Sequence, residues 1–211
     1  MTQRIVITGE SNQLRHTIAA AFVTQGAQVC CIESTPDVSN HQSHRSAPDT
    51  QPAFDRIRRG FAHANAVLDG IDTLIQIALR HPIKPMPVTH AEQVYSQVAL
   101  HTGSMGICCT LGIPFLQRQT GTKRIINVWL APVRASAAVI DRTWDDATDP
   151  IPMHTLHLAE ACAPHGIQVT TLITHTDRID DVHADEPHIL AWVLFFGYSA
   201  RSVGKRECHP P

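Results

Sequence analysis

Histidine is the side chain whose charge changes near neutral pH and the commonest metal ligand. This chain carries 14 of them against 17 Lys+Arg. Three fall where chemistry could use them. His16 follows the first apolar run, His101 lies in a long helical stretch, and His175 directly follows a later apolar run. Together with Glu10 or Asp177 they could form an acid/base set or a metal cluster. Taken singly they are ordinary surface or hydrogen-bonded histidines, and no metal is expected. His154 and His157 stand three apart and share a helix face, which reads as the solvated one. His41, His44, His183, His188 and His209 lie in polar segments and should be exposed. Trp144-Asp145-Asp146 is a short acidic patch that could hold a cation, with a solvated loop as the preferred reading.

The 6 cysteines are Cys30-Cys31, Cys108-Cys109, Cys162 and Cys208. No CxxC spacing occurs, and adjacent pairs inside apolar runs do not make a disulfide framework. They read as small buried apolar side chains.

Elements must position these groups. Arg4–Gly9 is a β-branched run ended by glycine, a buried-strand signal. Ser11 or Asn12 can cap a helix whose apolar positions Ile18, Ala19, Phe22 and Val23 lead to a closing Gly26. Gln28–Glu33 is a second strand, completing a βαβ unit. Residues 34–55 are polar and read as a long surface loop. A helix over 55–68, a strand over 70–78, a Pro-rich loop over 81–87 and one long helix over 91–119 follow, the last with a break expected near Gly112 and Pro114. Then come a strand over 123–130, a helix over 153–163, a glycine turn at Gly166, a strand over 167–173 and an apolar helix over 187–198. Strands alternating with helices imply a parallel sheet covered on both faces.

The chain has 211 residues, 43% hydrophobic, with 19 Asp+Glu for a net charge of −2. That length suits one α/β domain with a full core. The near-neutral charge argues against an electrostatic nucleic-acid binder. No apolar run reaches membrane-spanning length. No charged segment followed by an apolar one opens the chain, so no secretory signal is expected and the cytoplasm is the expected compartment.

The order of these pieces resembles the short-chain dehydrogenase/reductase family. Thr8-Gly9 stands where that family begins its Thr-Gly-x-x-x-Gly-x-Gly turn. Gly26–Val29, Gly70–Ile75 and Arg124–Val128 resemble its entries to later strands. Leu158–Val169 resembles its sixth helix and strand, and the stretch from Asp185 to Gly204 its C-terminal helix. The resemblance covers nearly the whole chain and implies a single Rossmann-like, doubly wound parallel sheet over residues 1–211.

The resemblance places a dinucleotide at this turn, with Thr8, Gly9, Arg15 and Glu33 as the candidate cofactor-binding residues. Glu33, ending the second strand, would hold the adenosine ribose. Departures weaken that implication. Gln13 and Arg15 replace the second and third glycines, which let the backbone approach a pyrophosphate. Gln13 would crowd the phosphates, and Glu10 adds like charge that Arg15 could offset. The family's Ser–Tyr–Lys set is also missing. The tyrosine position falls near Trp144, the lysine near Thr148 and the serine near Leu130 or Ala131. No Tyr-x-x-x-Lys occurs anywhere. The Asn-Asn-Ala-Gly turn reads Gln76-Ile77-Ala78-Leu79. His101, His175 and Trp144 remain as catalytic candidates.

The expectation is therefore a degenerate, non-redox binding or partner protein without a bound cofactor. It would assemble through helices 91–119 and 187–198 into a homo- or hetero-oligomer. An NAD(P)-dependent oxidoreductase with a rearranged site, or a cofactor-independent His-based lyase or isomerase, are the alternatives.

Overall fold

The run Arg4–Gly9 forms β1, buried from its second residue onward. The structure, a computed structural model, describes residues 2–9, 12–33, 51–79, 105–132, 150–176, 187–198 and 206–207. After β1 come α1 (Asn12–Thr24), β2 (Gln28–Glu33), α2 (Gln51–Leu68) and β3 (Thr73–Leu79). Helix α3 covers residues 105–117. Then follow β4 (Lys123–Pro132), α4 (Pro150–Cys162), a 3-10 turn (Ala163–His165), β5 (Ile167–Thr176), α5 (Pro187–Tyr198) and β6 (Arg206–Glu207).

The strands form a six-stranded sheet ordered β2-β1-β3-β4-β5-β6. Every pairing is parallel. This is the doubly wound α/β architecture that the alternation of elements implies.

Side chains alternate between the two faces. On one face Ile5, Ile7, Ile75, Ile77, Ile126 and Val128 pack with Leu14, Ile18 and Phe22 of α1 and Val193 and Phe196 of α5. On the other, Val6, Leu74 and Ile125 pack with Ile57, Phe61, Ala64 and Leu68 of α2, Cys108 and Leu116 of α3, and Cys162 of α4. The seat of α5 explains part of its apolar sequence. Val193 and Phe196 face the sheet, and Gly197 lies against α1, where a Cβ would stand 2.6 Å from the Phe22 ring. The Gly197 carbonyl accepts from Gln3 Nε2 at 2.8 Å and from the buried Arg124 Nη1 at 2.6 Å. A cation at a helix C-terminus opposes the negative end of its dipole.

At the N-terminal edge of the strands, Arg4 clamps the entry to β3. Its Nε and Nη2 meet the two carboxylate oxygens of Asp72 at 2.9 and 2.7 Å, and Nη2 also reaches Gln119 Oε1 at 2.7 Å.

Several expected bounds shift. Helix α2 starts at Gln51, inside the segment read as loop, because Pro52 is tolerated in a first turn. Pro150 likewise opens α4 ahead of the expected Met153. Helix α3 runs through Gly112 and Pro114 without the expected break. Gly112 lets the helix pack closely, since a Cβ there would stand 3.0 Å from both Leu74 and Phe61. Strands β4 and β5 outrun their expected ends. Of the cysteines, Cys108, Cys109 and Cys162 are buried as expected, whereas Cys31 is exposed on the outer strand β2. Residues 34–50 and 80–104, which include the segments read as a polar loop, a Pro-rich loop and the first part of the long helix, lie outside the described residues. No helix among the described residues is long and apolar enough to cross a membrane.

Candidate functional site

In open α/β sheets ligands bind beyond the C-terminal ends of the strands, where the strand order reverses. Here the reversal lies at β1, which pairs with β2 on one side and β3 on the other. Its last residue is Gly9, in register with Glu33 of β2 and Ile77 of β3. Gly9 adopts φ +142, and a Cβ there would run into the Ile77 backbone carbonyl and stand 2.7 Å from its Cβ. No other residue fits this position unstrained.

Helix α1 reaches back to the end of β1. Arg15 is 7% exposed, and its Nη1 donates to the Gly9 carbonyl at 2.8 Å. Its positive charge also acts on the thiol of Cys31, offsetting part of the rise in pKa that burial causes there. Thr8 is buried just before Gly9, and Glu33 is exposed at the end of β2. The four candidate cofactor residues therefore meet at one corner, formed by β1, β2 and the start of α1.

The two described candidate histidines, His16 and His175, stand on different elements. His16 is exposed on α1. His175 sits near the C-terminal end of β5, in register with Ala131 of β4, on the same sheet edge as Gly9 but separated from it by β3 and β4. His101 and Trp144 lie outside the described residues, as do Glu10 and Asp177. Among the described residues no cluster of three or more His, Cys, Asp or Glu could hold a metal.

A second polar feature lies deeper. Thr8, Gln76, Asn127 and Thr171 stand side by side in register across β1, β3, β4 and β5. All four are buried, Gln76 at 1% and Asn127 at 0% exposure. Gln76 Nε2 donates to Asn127 Oδ1 at 3.1 Å and to Cys109 Sγ of α3 at 2.8 Å. Asn127 Nδ2 donates to Thr171 Oγ1 at 3.4 Å, which lies 2.8 Å from Thr155 Oγ1 of α4. Cys108 adds a hydrogen bond to Thr8. Burial pushes the Cys108 thiol up to about 11 and the Cys109 thiol to about 12. Both are neutral thiols near neutral pH, so the row is a hydrogen-bonded, uncharged layer. It can orient a polar group, but as neutral amides, hydroxyls and thiols it holds no ready proton donor of the Tyr–Lys kind.

Sequence reasoning did not single out this row beyond noting Gln76 at a family position. Its only sequence signal is a polar residue among the apolar ones of each of four strands. That signal becomes a row only when the register is known.

No family profile matches the chain, and no curated protein matches it. Solved structures do match, over nearly its whole length. An NADH-dependent reductase solved with NAD is 15% identical and covers 98% of this chain and 95% of its own, at TM-score 0.62. An oxidoreductase of the short-chain dehydrogenase/reductase family from Brucella ovis, solved with a partially ordered NAD, is 14% identical and covers 99% of this chain and 100% of its own, at TM-score 0.61. The fold is that of the short-chain dehydrogenase/reductases. A short-chain dehydrogenase from Oenococcus oeni, 12% identical over 93% of this chain and 91% of its own at TM-score 0.59, has it too. Within the short-chain dehydrogenase/reductase fold, the Gly9 corner is the reversal point of the sheet, and the Gln76–Asn127 row lies beneath α3 and α4.

Proposed function

We propose that this chain is a non-redox member of its fold, a degenerate binding or partner subunit rather than a dinucleotide-dependent dehydrogenase. The observation that supports this most is the seat of Arg15. A dinucleotide turn works because glycines leave room for the pyrophosphate over the start of the helix. Here the third of those positions carries an arginine whose side chain is buried against the Gly9 carbonyl at 2.8 Å. Gly9 keeps the tight approach to β3, but its carbonyl is taken by the Arg15 side chain of α1, and the sequence carries Gln13 at the second glycine position. These residues do not fit a pyrophosphate, and no hydride-transfer step is derived from them. The missing Tyr-x-x-x-Lys supports the same reading.

The partner side of the proposal rests on α3, the described part of the stretch 91–119, and on α5 (Pro187–Tyr198). In α5, Val193 and Phe196 are buried while Phe195 is 53% exposed beside Trp192, ring centroids 5.9 Å apart. An exposed aromatic against a packed one suits a homo- or hetero-oligomer contact. In α3 the described stretch buries Met105, Cys108, Cys109 and Leu116 on the chain's own sheet. That leaves its outer positions for any partner. Free cysteines on β2, α3 and α4 accord with a cytoplasmic setting.

One observation favours the competing reading, an NAD(P)-dependent oxidoreductase with a rearranged site. Two matching structures hold NAD and span this chain almost end to end. Titration with NADH and NADPH separates the two: the proposal expects no saturable binding and no change in melting temperature.

A further inference from the structure

Helix α2 ends at Leu68, and the residue after it is the one described non-glycine with a positive φ: Asp69 stands at φ +56. Glycine is the usual residue at this left-handed position after a helix, because a Cβ strains it. Gly70 follows at φ +124. Its N–H donates back to the Asn65 carbonyl at 3.2 Å, which closes the end of the helix. Ile71 and Asp72 then lead into β3.

Of the 11 glycines in the chain, Gly70 alone follows an Asp or Asn. Asp69 is exposed, and Gly70 carries no side chain to hinder its nitrogen. The fold requires glycine there: a Cβ would run into the Arg4 guanidinium and stand 2.9 Å from Gln119 Nε2. Arg4 Nη1 donates to the Asp69 carbonyl. A strained carboxylate-bearing residue thus stands beside an unhindered backbone nitrogen, in a helix end closed by these two hydrogen bonds.

An aspartate before a glycine can turn its carboxyl on the chain. The Gly70 nitrogen bonds to Asp69 Cγ, and the nitrogen's hydrogen leaves with the hydroxyl of the protonated carboxyl as water. The cyclic imide then takes a water back. Addition at the former Asp69 backbone carbonyl breaks its bond to the Gly70 nitrogen, and the chain then runs through the side chain as an isoaspartate. One water is released and one consumed, with no other reactant. The nitrogen must first let go of the Asn65 carbonyl. Local opening at a helix end has a low free energy, and the left-handed strain at Asp69 lowers it further.

We propose that Asp69–Gly70 is a self-modification site, at which the chain isomerises Asp69 to isoaspartate through a cyclic imide with Gly70. Asp72 is the contrast. Arg4 holds both of its carboxylate oxygens, Oδ2 at 2.9 Å from Nε and Oδ1 at 2.7 Å from Nη2, and the next residue is the buried, β-branched Thr73. A reactive and an unreactive aspartate therefore share the entry to β3. Conversion lengthens the backbone by one methylene and turns the carbonyl that Arg4 holds into a free carboxylate. The site stands apart from the Gly9 corner and does not depend on whether that corner takes a dinucleotide.

The full native chain is incubated near neutral pH in water enriched in heavy oxygen, then digested with trypsin in ordinary water. Asp69 and Asp72 fall in one tryptic peptide, residues 60–80. Hydrolysis of the imide leaves a heavy oxygen at residue 69, and electron-transfer fragmentation tells isoaspartate from aspartate there. Label and isoaspartate should build up at Asp69 several-fold faster than at Asp72. Asp69→Gly, which suits the left-handed position, should keep the fold and leave the peptide unlabelled. No isoaspartate at residue 69 of the native chain, or equal rates at Asp69 and Asp72, overturns the proposal. So does an Asp69 that reacts only once urea has unfolded the chain, since the folded helix end would then forbid the attack.

Discussion

Arg15 Nη1 donates to the Gly9 carbonyl at 2.8 Å, across the turn from β1 into α1. The bond ties the first helix to the first strand where this fold otherwise opens for a ligand. It is charge-assisted and buried, so its loss should be felt in stability. Arg15→Ala is expected to destabilise the chain by about 1.5–3 kcal/mol, read as a lower urea midpoint with unchanged slope. A midpoint equal to the native one would show that the contact contributes nothing.

Gly9 and Gly26 both have positive φ but differ in their surroundings. A Cβ at Gly9 meets Ile77, whereas at Gly26 it meets open space. Gly9→Ala should therefore cost more than about 2 kcal/mol, and Gly26→Ala only about 1 kcal/mol from backbone strain alone. Thermal melts of the two variants check the order, and equal losses would contradict the close approach of β1 to β3.

The Gln76–Asn127 pair predicts non-additivity. Gln76→Leu or Asn127→Leu alone strands polar partners in a dry layer, each at about 1–3 kcal/mol. Replacing both removes the stranded groups together. The double variant should be less destabilised than the sum of the singles by at least about 1 kcal/mol, measured by a denaturant double-mutant cycle.

The buried thiols predict a pH dependence of known sign. Burial raises Cys108 to about 11 and Cys109 to about 12, above their value in the unfolded chain. A raised thiol contributes stability that is fully present below the unfolded pKa, near about 8.5. That contribution is lost as pH rises toward the folded values. Stability should thus fall between about pH 9 and 12, and Cys108→Ala/Cys109→Ala should flatten that fall. Alkylation at neutral pH should mark the exposed Cys31 first and reach Cys108, Cys109 and Cys162 only on unfolding. Peptide mass spectra resolve that order.

Much of the fold was legible because periodicity carries it. The ends of β1, β2 and α5 are those that the β-branched and apolar runs and the closing glycines mark out. The corner was legible too: Thr8, Gly9, Arg15 and Glu33 meet there. What Arg15 does was not, since sequence places it at a glycine position without saying that its side chain turns inward onto Gly9. The polar row escaped for a different reason. Gln76 and Asn127 are far apart in sequence, and only the pairing register of β3 with β4 makes them neighbours. Helices α2 and α4 begin at Gln51 and Pro150, earlier than the apolar spacing alone marks, because a first turn accepts proline.

The central claim is that the turn around Gly9 does not seat a dinucleotide. The most direct measurement follows the melting temperature of the native chain, and of Gln13→Gly/Arg15→Gly, as NADH and NADPH are added. No shift is predicted for the native chain with either nucleotide, and the double-glycine variant is the one expected to gain any binding. A native chain stabilised by roughly 1.4 kcal/mol at tenfold excess over a Kd below about 100 μM, for either nucleotide, would contradict the account.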